Sequence, residues 1–421
     1  MSRLMGFVGL AVLMGIAWAL SNNRRRFPVR TVLWGLVLQF AFALVILRTG
    51  WGRAFFYGFE QAFNRLISFT DAGTQFVLGD WGVPIQATNA VTGKPHAIGF
   101  LLAFKVLPVI IFFASLMSIL YHLGIMQKIV GGMAWVMKRC MRVSGAESVV
   151  AATEVFVGMT EAPFAIRPYL ATLTESELLA VMVAGLATIA GSVMALYVSF
   201  GVDAGHLLCA SVMSAPASLL IAKIMIPETG KPVTFGTLRI PYEKTTKNVI
   251  DAAAGGATDG LKLALNVATM LIAFIALLAM VNYLLASGHD LIARGIGWQG
   301  FPSSLEEIFG WLFRPLAWVM GVPWSESGQI GSLMGVKISL NEMIAYQKLV
   351  AVKATLSERS VTIATYALCG FANFGSMAIQ IGGVSALVPE LRGELSRLSL
   401  RALAGGSLAT FMTACIAGIL L

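Results

Sequence analysis

The chain has 421 residues, 57% hydrophobic and only 12% charged, with a mean hydropathy of +0.80; roughly 25% charged is ordinary for a globular domain, so a soluble multidomain protein is excluded and much of the exterior faces lipid. Disorder, a coiled coil and a secreted disulfide scaffold are excluded too, and the four cysteines (Cys140, Cys209, Cys369, Cys415) lie among apolar neighbours without metal or disulfide spacing, as buried small hydrophobes do. The formal net charge of +9 comes from basic residues in short loops between apolar runs, a placement that orients a membrane protein and needs no nucleic acid partner.

A spanning helix needs about 20 mostly apolar residues. Eight uncharged stretches approach that length: 4–23, 31–47, 106–121 (extendable backward through 97–104), 178–202, 204–222, 264–289, 360–389 and 402–421. The block Arg24-Arg25-Arg26 resists translocation, so the first stretch is expected to be a retained helix with its N-terminus outside. Alternating from there, the inner loops carry Lys128, Lys138, Arg139 and Arg142, then Lys223, Lys231, Arg239, Lys244 and Lys247, then Arg392, Arg397 and Arg401. The outer turn 201–206 has no Lys or Arg, and the outer segment 288–322 has only Arg294 and Arg314. Eight spans return the C-terminus to the outside.

Three segments are too polar to span and are expected to lie at the interface. Residues 51–70 are crowded with Trp51, Phe55, Phe56, Tyr57, Phe59, Phe63 and Phe69, suited to the headgroup level. Residues 126–142 interleave Trp135 and methionines with basic residues, and the Ala/Gly centre of 242–262 suits close packing.

Two further stretches are neither span nor loop. Residues 147–170 (ESVVAATEVFVGMTEAPFAIRPYL) could enter the bilayer but contain Glu154 and Glu161 and are broken by Gly158 and Pro163. Residues 327–354 carry Asn341-Glu342 at their middle. Each is followed by a long uncharged helix interrupted by a Gly-Ser pair, Gly191-Ser192 or Gly375-Ser376, and then by one plain span. Glu161 precedes Ser192 by 31 residues and Glu342 precedes Ser376 by 34. By the charge count one copy starts inside and the other outside. The expected fold is therefore an all-α integral membrane protein with eight transmembrane helices, three interfacial helices and two re-entrant hairpins in inverted repeat. Such repeats place a substrate at the midplane between broken helices. Unwound backbone at that depth requires protein or a water-filled cavity around it, and an ionisable residue there is functional by default. The two hairpin carboxylates, Glu161 and Glu342, are expected to meet; the plainer alternative pairs them structurally with Arg167 or Lys337.

Gly158-Met159-Thr160-Glu161-Ala162-Pro163 with Arg167-Pro168-Tyr169 resembles the G-Q-T-E-A-P…R-P-Y motif of concentrative nucleoside transporters. Asn341-Glu342 with Ala345-Tyr346 is similar to that family's N-E-F-V-A-Y, and residues 364–376 (ATYALCGFANFGS) to its A-T-Y-A-L-C-G-F-A-N. Three motifs in order, with the eight-span plan, extend the resemblance over essentially the whole chain. It implies a homotrimer in a bacterial inner membrane that imports nucleosides by an elevator motion, driven by a cation gradient and without a resident cofactor. Residues 1–125 would hold scaffold helices 1–3 and an interfacial helix, 126–256 the first hairpin repeat of a transport region, 257–300 scaffold helix 6, and 301–421 the second hairpin repeat.

On these positions the resemblance places the nucleobase at Gly158, Met159, Thr160 and Glu161, the ribose at Glu342, Asn373 and Ser376, and packing contacts at Val193 and Phe371. A carboxylate can accept hydrogen bonds from two sugar hydroxyls while Asn and Ser add orientation. Two departures stand out. Met159 replaces the family's Gln, removing an amide that reads the base, so base preference is expected to be broadened or altered, even toward a modified nucleoside. Glu154 replaces an Asn of the sodium site, whose other members fall on Val157, Thr188 and Ile189. A carboxylate there can bind sodium or take up a proton; H+ is the favoured coupling ion and Na+ the alternative. An intramembrane enzyme and a channel are the remaining classes. The chain has no H-E-x-x-H and no Walker-type loop, and its histidines (His96, His122, His206, His289) fall near span ends.

Overall fold

Helices start where a side-chain oxygen can meet the N–H groups that a first turn leaves free. Ser144 and Thr174 form capping boxes with Glu147 and Glu177 and open helices Gly145–Thr153 and Glu175–Ala187. Asp203, Asn248, Asn341, Ser357 and Asn373 cap Ala204–Met225, Val249–Ile296, Glu342–Val352, Glu358–Leu368 and Phe374–Leu387 in the same manner. The structure is a computed structural model that describes residues 2–79, 85–88, 95–98, 102–105, 107–236, 246–298 and 300–421. It is almost wholly helical. A short antiparallel pair, Ile85–Thr88 with Pro95–Ile98, is the exception among the described residues.

The first helix, Ser2–Ala19, stops before the expected end at 23, where the chain turns and Asn22 N–H donates to the carbonyl of Met225. It packs on the last helix, Arg392–Leu420, so closely that a Cβ on Gly6 would stand 2.6 Å from Ile419 Cγ1. The aromatic-rich segment expected at 51–70 is part of a longer helix, Gly50–Leu78. Leu107–His122 bends by 77° into Ile125–Met141, the second expected interfacial helix. The backward extension of the third span does not hold, because Pro95–Ile98 is a strand and a helix resumes only at Leu102.

The expected interfacial helix at 242–262 and span at 264–289 form one helix, Val249–Ile296, of 48 residues; residues 242–245 lie outside the described set. No proline interrupts that run, and at 1.5 Å per residue it reaches about 72 Å, more than twice the hydrocarbon thickness. The expected domain boundary at 256/257 falls inside it. Its Gly256 and Gly260 lie one turn apart against Leu107–His122, where a Cβ would meet Ser118 Cβ at 2.6 Å and Ile111 Cα at 2.8 Å. That is the close packing its Ala/Gly centre suggested, in the small-xxx-small manner of membrane helices. By length and composition five helical segments can cross a membrane among the described residues, six if the bent pair counts as one span.

Each repeat is a hairpin, a broken helix and a plain helix. In the first, Gly145–Thr153 and the 3-10 segment Ala162–Thr172 precede Glu175–Ala187, Gly191–Ser199 and Ala204–Met225. In the second, Trp324–Ser339 and Glu342–Val352 precede Glu358–Leu368, Phe374–Leu387 and Arg392–Leu420. The breaks lie at 188–190 and 369–373, so each Gly-Ser pair opens the helix after the break instead of making it. Helices Glu175–Ala187 and Glu358–Leu368 both pack on the two plain helices. There Gly405 and Gly406 admit Val183 and Leu186 to distances that a Cβ would close to 2.7 Å.

Basic residues expected in loops lie in helices instead. Arg392, Arg397 and Arg401 belong to the last helix, where Arg397 pairs with Glu175 and Glu394. Lys223 is in the last turn of Ala204–Met225, buried, 2.8 Å from Glu147 and 2.9 Å from Ser176 Oγ, and 3.5 Å from Glu228. It joins the start of the first hairpin to the start of the first broken helix. Removing one partner of a buried pair costs about 3–5 kcal/mol because the other is left uncompensated. Lys223→Met should therefore lower the thermal unfolding temperature of the purified protein sharply, and Glu147→Gln in the same chain should restore most of the loss. An unshifted Tm in Lys223→Met would show that the pair does not hold these elements together.

Candidate functional site

Each break frees backbone groups that must be satisfied inside the protein. The two breaks satisfy one another. Thr188 is extended, and its carbonyl accepts from Phe371 N–H at 3.3 Å across the crossing. Gly370 makes the approach possible: its φ is +141°, and a Cβ there would stand 2.8 Å from the carbonyl oxygen of Ala187. Gly191 N–H, just past the first break, donates to Phe156 O of the first hairpin at 3.0 Å. Lys337, fully buried, donates to Ala367 O and Thr410 Oγ1, both at 2.9 Å. It thus puts a cation on an end-of-helix carbonyl, where the helix dipole favours positive charge.

Beside this crossing lies Glu342, 4% exposed, the first residue after the kink of the second hairpin. Tyr197 OH donates to one of its carboxylate oxygens at 2.7 Å and Asn373 Nδ2 to the other at 2.9 Å. The Asn373 side-chain oxygen meanwhile accepts from Ser376 N–H at 2.7 Å, capping Phe374–Leu387. One residue therefore sets both the helix start and the carboxylate. Tyr197 is stacked 4.7 Å from Tyr346, whose hydroxyl is held by the carbonyl of Thr365 at 2.7 Å. Charge-assisted bonds of this kind are short and orienting. Each Glu342 oxygen keeps lone-pair capacity for a further donor, such as a hydroxyl. Val193 lies buried one turn before Tyr197, Ser376 is buried and Phe371 half-buried. Glu342, Asn373, Ser376, Val193 and Phe371 are thus brought to one region, with Tyr197 added.

The first hairpin is arranged differently. Glu154 ends helix Gly145–Thr153, is 0% exposed, and has no hydrogen bond to either carboxylate oxygen. Met159 is buried, Val157, Gly158 and Thr160 are half-buried, and Thr188 and Ile189 are buried in the break. Thr188 Oγ1 bonds back to Ala184 O at 2.9 Å. Glu161 is exposed at the tip and accepts from Gly158 N–H at 3.3 Å. Glu161 and Glu342 have separate hydrogen-bond partners, Gly158 N–H for the first and Tyr197 with Asn373 for the second. Their proposed structural partners are otherwise engaged: Lys337 bonds Ala367 and Thr410, and Arg167 is exposed. Two polar residues escaped the sequence reading. Tyr197 stands within the apolar run of Gly191–Ser199 and Gln380 within that of Phe374–Leu387, and a polar group in such a run was the available signal.

Comparison with known proteins follows the same lines. The model described as Na+ dependent nucleoside transporter C-terminus matches residues 206–418, its N-terminal counterpart 8–81, and the Gate (nucleoside recognition) model 103–204. An uncharacterized transporter of Haemophilus influenzae is 42% identical, over 100% of this chain and 98% of that protein. Solute carrier family 28 member 3 of Rattus norvegicus is 40% identical over 99% of this chain and 59% of its own length, so the chain spans about three-fifths of that relative. The solved structure of CNTnw in an inward-facing substrate-bound state superposes with a TM-score of 0.90 at 40% identity, covering 100% of this chain and 98% of that one.

The crossing of the breaks is testable with two glycines. Gly201 also has a positive φ, +99°, but a Cβ there meets nothing within 4 Å. Alanine at either strains the backbone by about 1–3 kcal/mol, and at Gly370 the clash adds about as much again. Thermal unfolding should show Gly370→Ala as the more destabilised of the two; equal shifts would mean the segments are not tightly apposed.

Proposed function

This chain belongs to the Na+ dependent nucleoside transporter family, and we propose that it is a secondary active importer of nucleosides whose ribose site is built on Glu342. Its relatives are transporters and not enzymes, and its apolar helices make it a membrane protein. The carrying observation is the Glu342 carboxylate, held by Tyr197 from the first repeat and Asn373 from the second. A carboxylate fixed by both repeats can accept ribose hydroxyls and sense the relation between the two halves. Asn373 and Ser376 orient the sugar, Val193 and Phe371 pack against the ligand, and Gly158, Met159, Thr160 and Glu161 at the hairpin tip meet the base. With Met in place of the family's Gln, the base is held by shape more than by hydrogen bonds, which suits a broadened or modified-nucleoside preference.

The coupling cation is assigned to Glu154 with Val157, Thr188 and Ile189, and H+ is favoured over Na+. Support comes from the Glu154 carboxylate itself, buried without a hydrogen bond, since an isolated ionised carboxylate in such surroundings is costly unless neutralised. Sodium coupling is the second reading, favoured by the description of the matched family. Transport proceeds by elevator-type alternating access in a homotrimer, with the two hairpin repeats moving against the scaffold helices. The location is a bacterial inner membrane with both termini outside.

Because the site is built to satisfy hydroxyls, a 3′-deoxy nucleoside should be transported at least about tenfold less efficiently than its parent, the loss expected when a buried polar group goes unpaired. Equal efficiencies would remove Glu342 from the ribose site. In proteoliposomes, uridine accumulation should follow an inward proton gradient without sodium, and Glu154→Gln should abolish accumulation while sparing some exchange. Strict sodium dependence with no response to a pH gradient would assign the sodium reading instead.

A further inference from the structure

Gln380 is 0% exposed, and neither its amide nitrogen nor its oxygen has a hydrogen bond. Glu154 is in the same condition. The two lie together: a Cβ on Gly185 would stand 2.4 Å from Gln380 Nε2, 2.9 Å from Glu154 Oε1 and 2.8 Å from Met159 Cβ. The bare Cα of Gly185 is thus the floor on which a carboxylate and an amide come together without a hydrogen bond between them. Almost every buried polar side chain has a partner, and two unpaired polar side chains meeting at one glycine are not a packing arrangement, since a leucine at 380 would fill the same space without desolvation cost.

The approach is held in register from outside the pair. Gly383, one turn beyond Gln380, seats against Thr160 of the hairpin tip, where a Cβ would come within 2.8 Å of Thr160 Cγ2. Residues 376, 380 and 383 recur at i, i+4 and i+7 and so share one face of helix Phe374–Leu387. That face carries Ser376 of the sugar site at one end and the contact with the hairpin at the other.

The chemistry selects the guest. Glu154 supplies negative charge, and the amide can turn its oxygen to the same point, since its two ends are interchangeable by a flip. A carboxylate and an amide carbonyl are oxygen ligands of the kind that hard cations take; an anion is repelled. We propose that Gln380 is a ligand of the coupling cation held at Glu154, so that the bound cation ties the first hairpin to the second broken helix. The proposal rests on Glu154 being the coupling site. It adds a ligand from the second repeat to a set (Glu154, Val157, Thr188, Ile189) drawn wholly from the first. It also gives the coupling a physical route: the cation fixes the face whose other end presents Ser376, next to Asn373 and Glu342.

The test uses the full-length protein in proteoliposomes, with uridine uptake measured against sodium concentration at fixed pH and against proton gradient without sodium. Gln380→Leu should raise the half-saturating concentration of whichever cation drives the wild type by about tenfold or more, as for loss of one contact to a charged group. The uridine concentration for half-maximal counterflow at saturating cation should move much less. Gln380→Met, which keeps the length of the side chain without its polar atoms, should raise the same cation constant, and it carries the test if Gln380→Leu does not fold. Unchanged cation dependence in both variants overturns the proposal. So does a change confined to uridine affinity or base preference, which would make Gln380 a substrate residue. If the wild type responds to neither gradient, the coupled-transport reading itself has failed, a result distinct from a coupled wild type with indifferent variants.

Discussion

The structure depends on one constraint: two helices are unwound inside an apolar interior, and the freed backbone groups must find partners within the protein. Thr188 carbonyl to Phe371 N–H is the direct link. The elements around it follow from that need. Gly370 has no side chain because the neighbouring backbone occupies its place. Lys337 is drawn fully into the interior to hold a carbonyl at the end of the preceding half-helix. Gly405 and Gly406 let the last plain helix lie against the first broken one. Where a soluble protein would hydrate such segments, this one encloses them.

Three of the buried carboxylates are treated in three ways. Glu147 has a full partner in Lys223, with Ser144 and Ser176 completing the arrangement. Nothing is left for it to bind, and its work is to hold two elements together. Glu342 is oriented by two neutral donors, Tyr197 and Asn373, which fix its direction without cancelling its charge. It is ready for a ligand that donates. Glu154 has no hydrogen-bond partner at all and faces Gln380, as a group does whose partner comes and goes. Burial alone would have grouped all three; partner chemistry divides them.

Much was legible in the residues themselves. Hydropathy located most of the helices of spanning length, because apolar runs are a local property. The duplicated order of hairpin, broken helix and plain helix was visible because Glu, Pro and Gly-Ser interrupt runs that are otherwise uniformly apolar. Motif resemblance then pointed to Glu342, Asn373 and Ser376, which the fold gathers. Helix continuity was less legible. Nothing in 249–296 is a strong helix breaker, yet a polar first half and an apolar second half invite division into two elements, and the close fit of Gly256 and Gly260 on a distant helix keeps them one.

What the sequence by itself determined is the class of molecule: a membrane protein with a repeated architecture, acidic residues at depth, and a family whose members carry nucleosides. What only the tertiary structure decided is who meets whom. Lys223 counted as a loop charge until the fold buried it against Glu147. Glu161 and Glu342, alike in their motifs, part company, one exposed at a tip and the other enclosed. Tyr197 and Gln380 joined the site although their own segments mark them only as polar residues in apolar helices. Local pattern is set by neighbours along the chain, whereas the partner of a buried polar group comes from a distant segment, 31 residues away for Asn373 and 145 for Tyr197 on Glu342, and that distance is bridged only by packing.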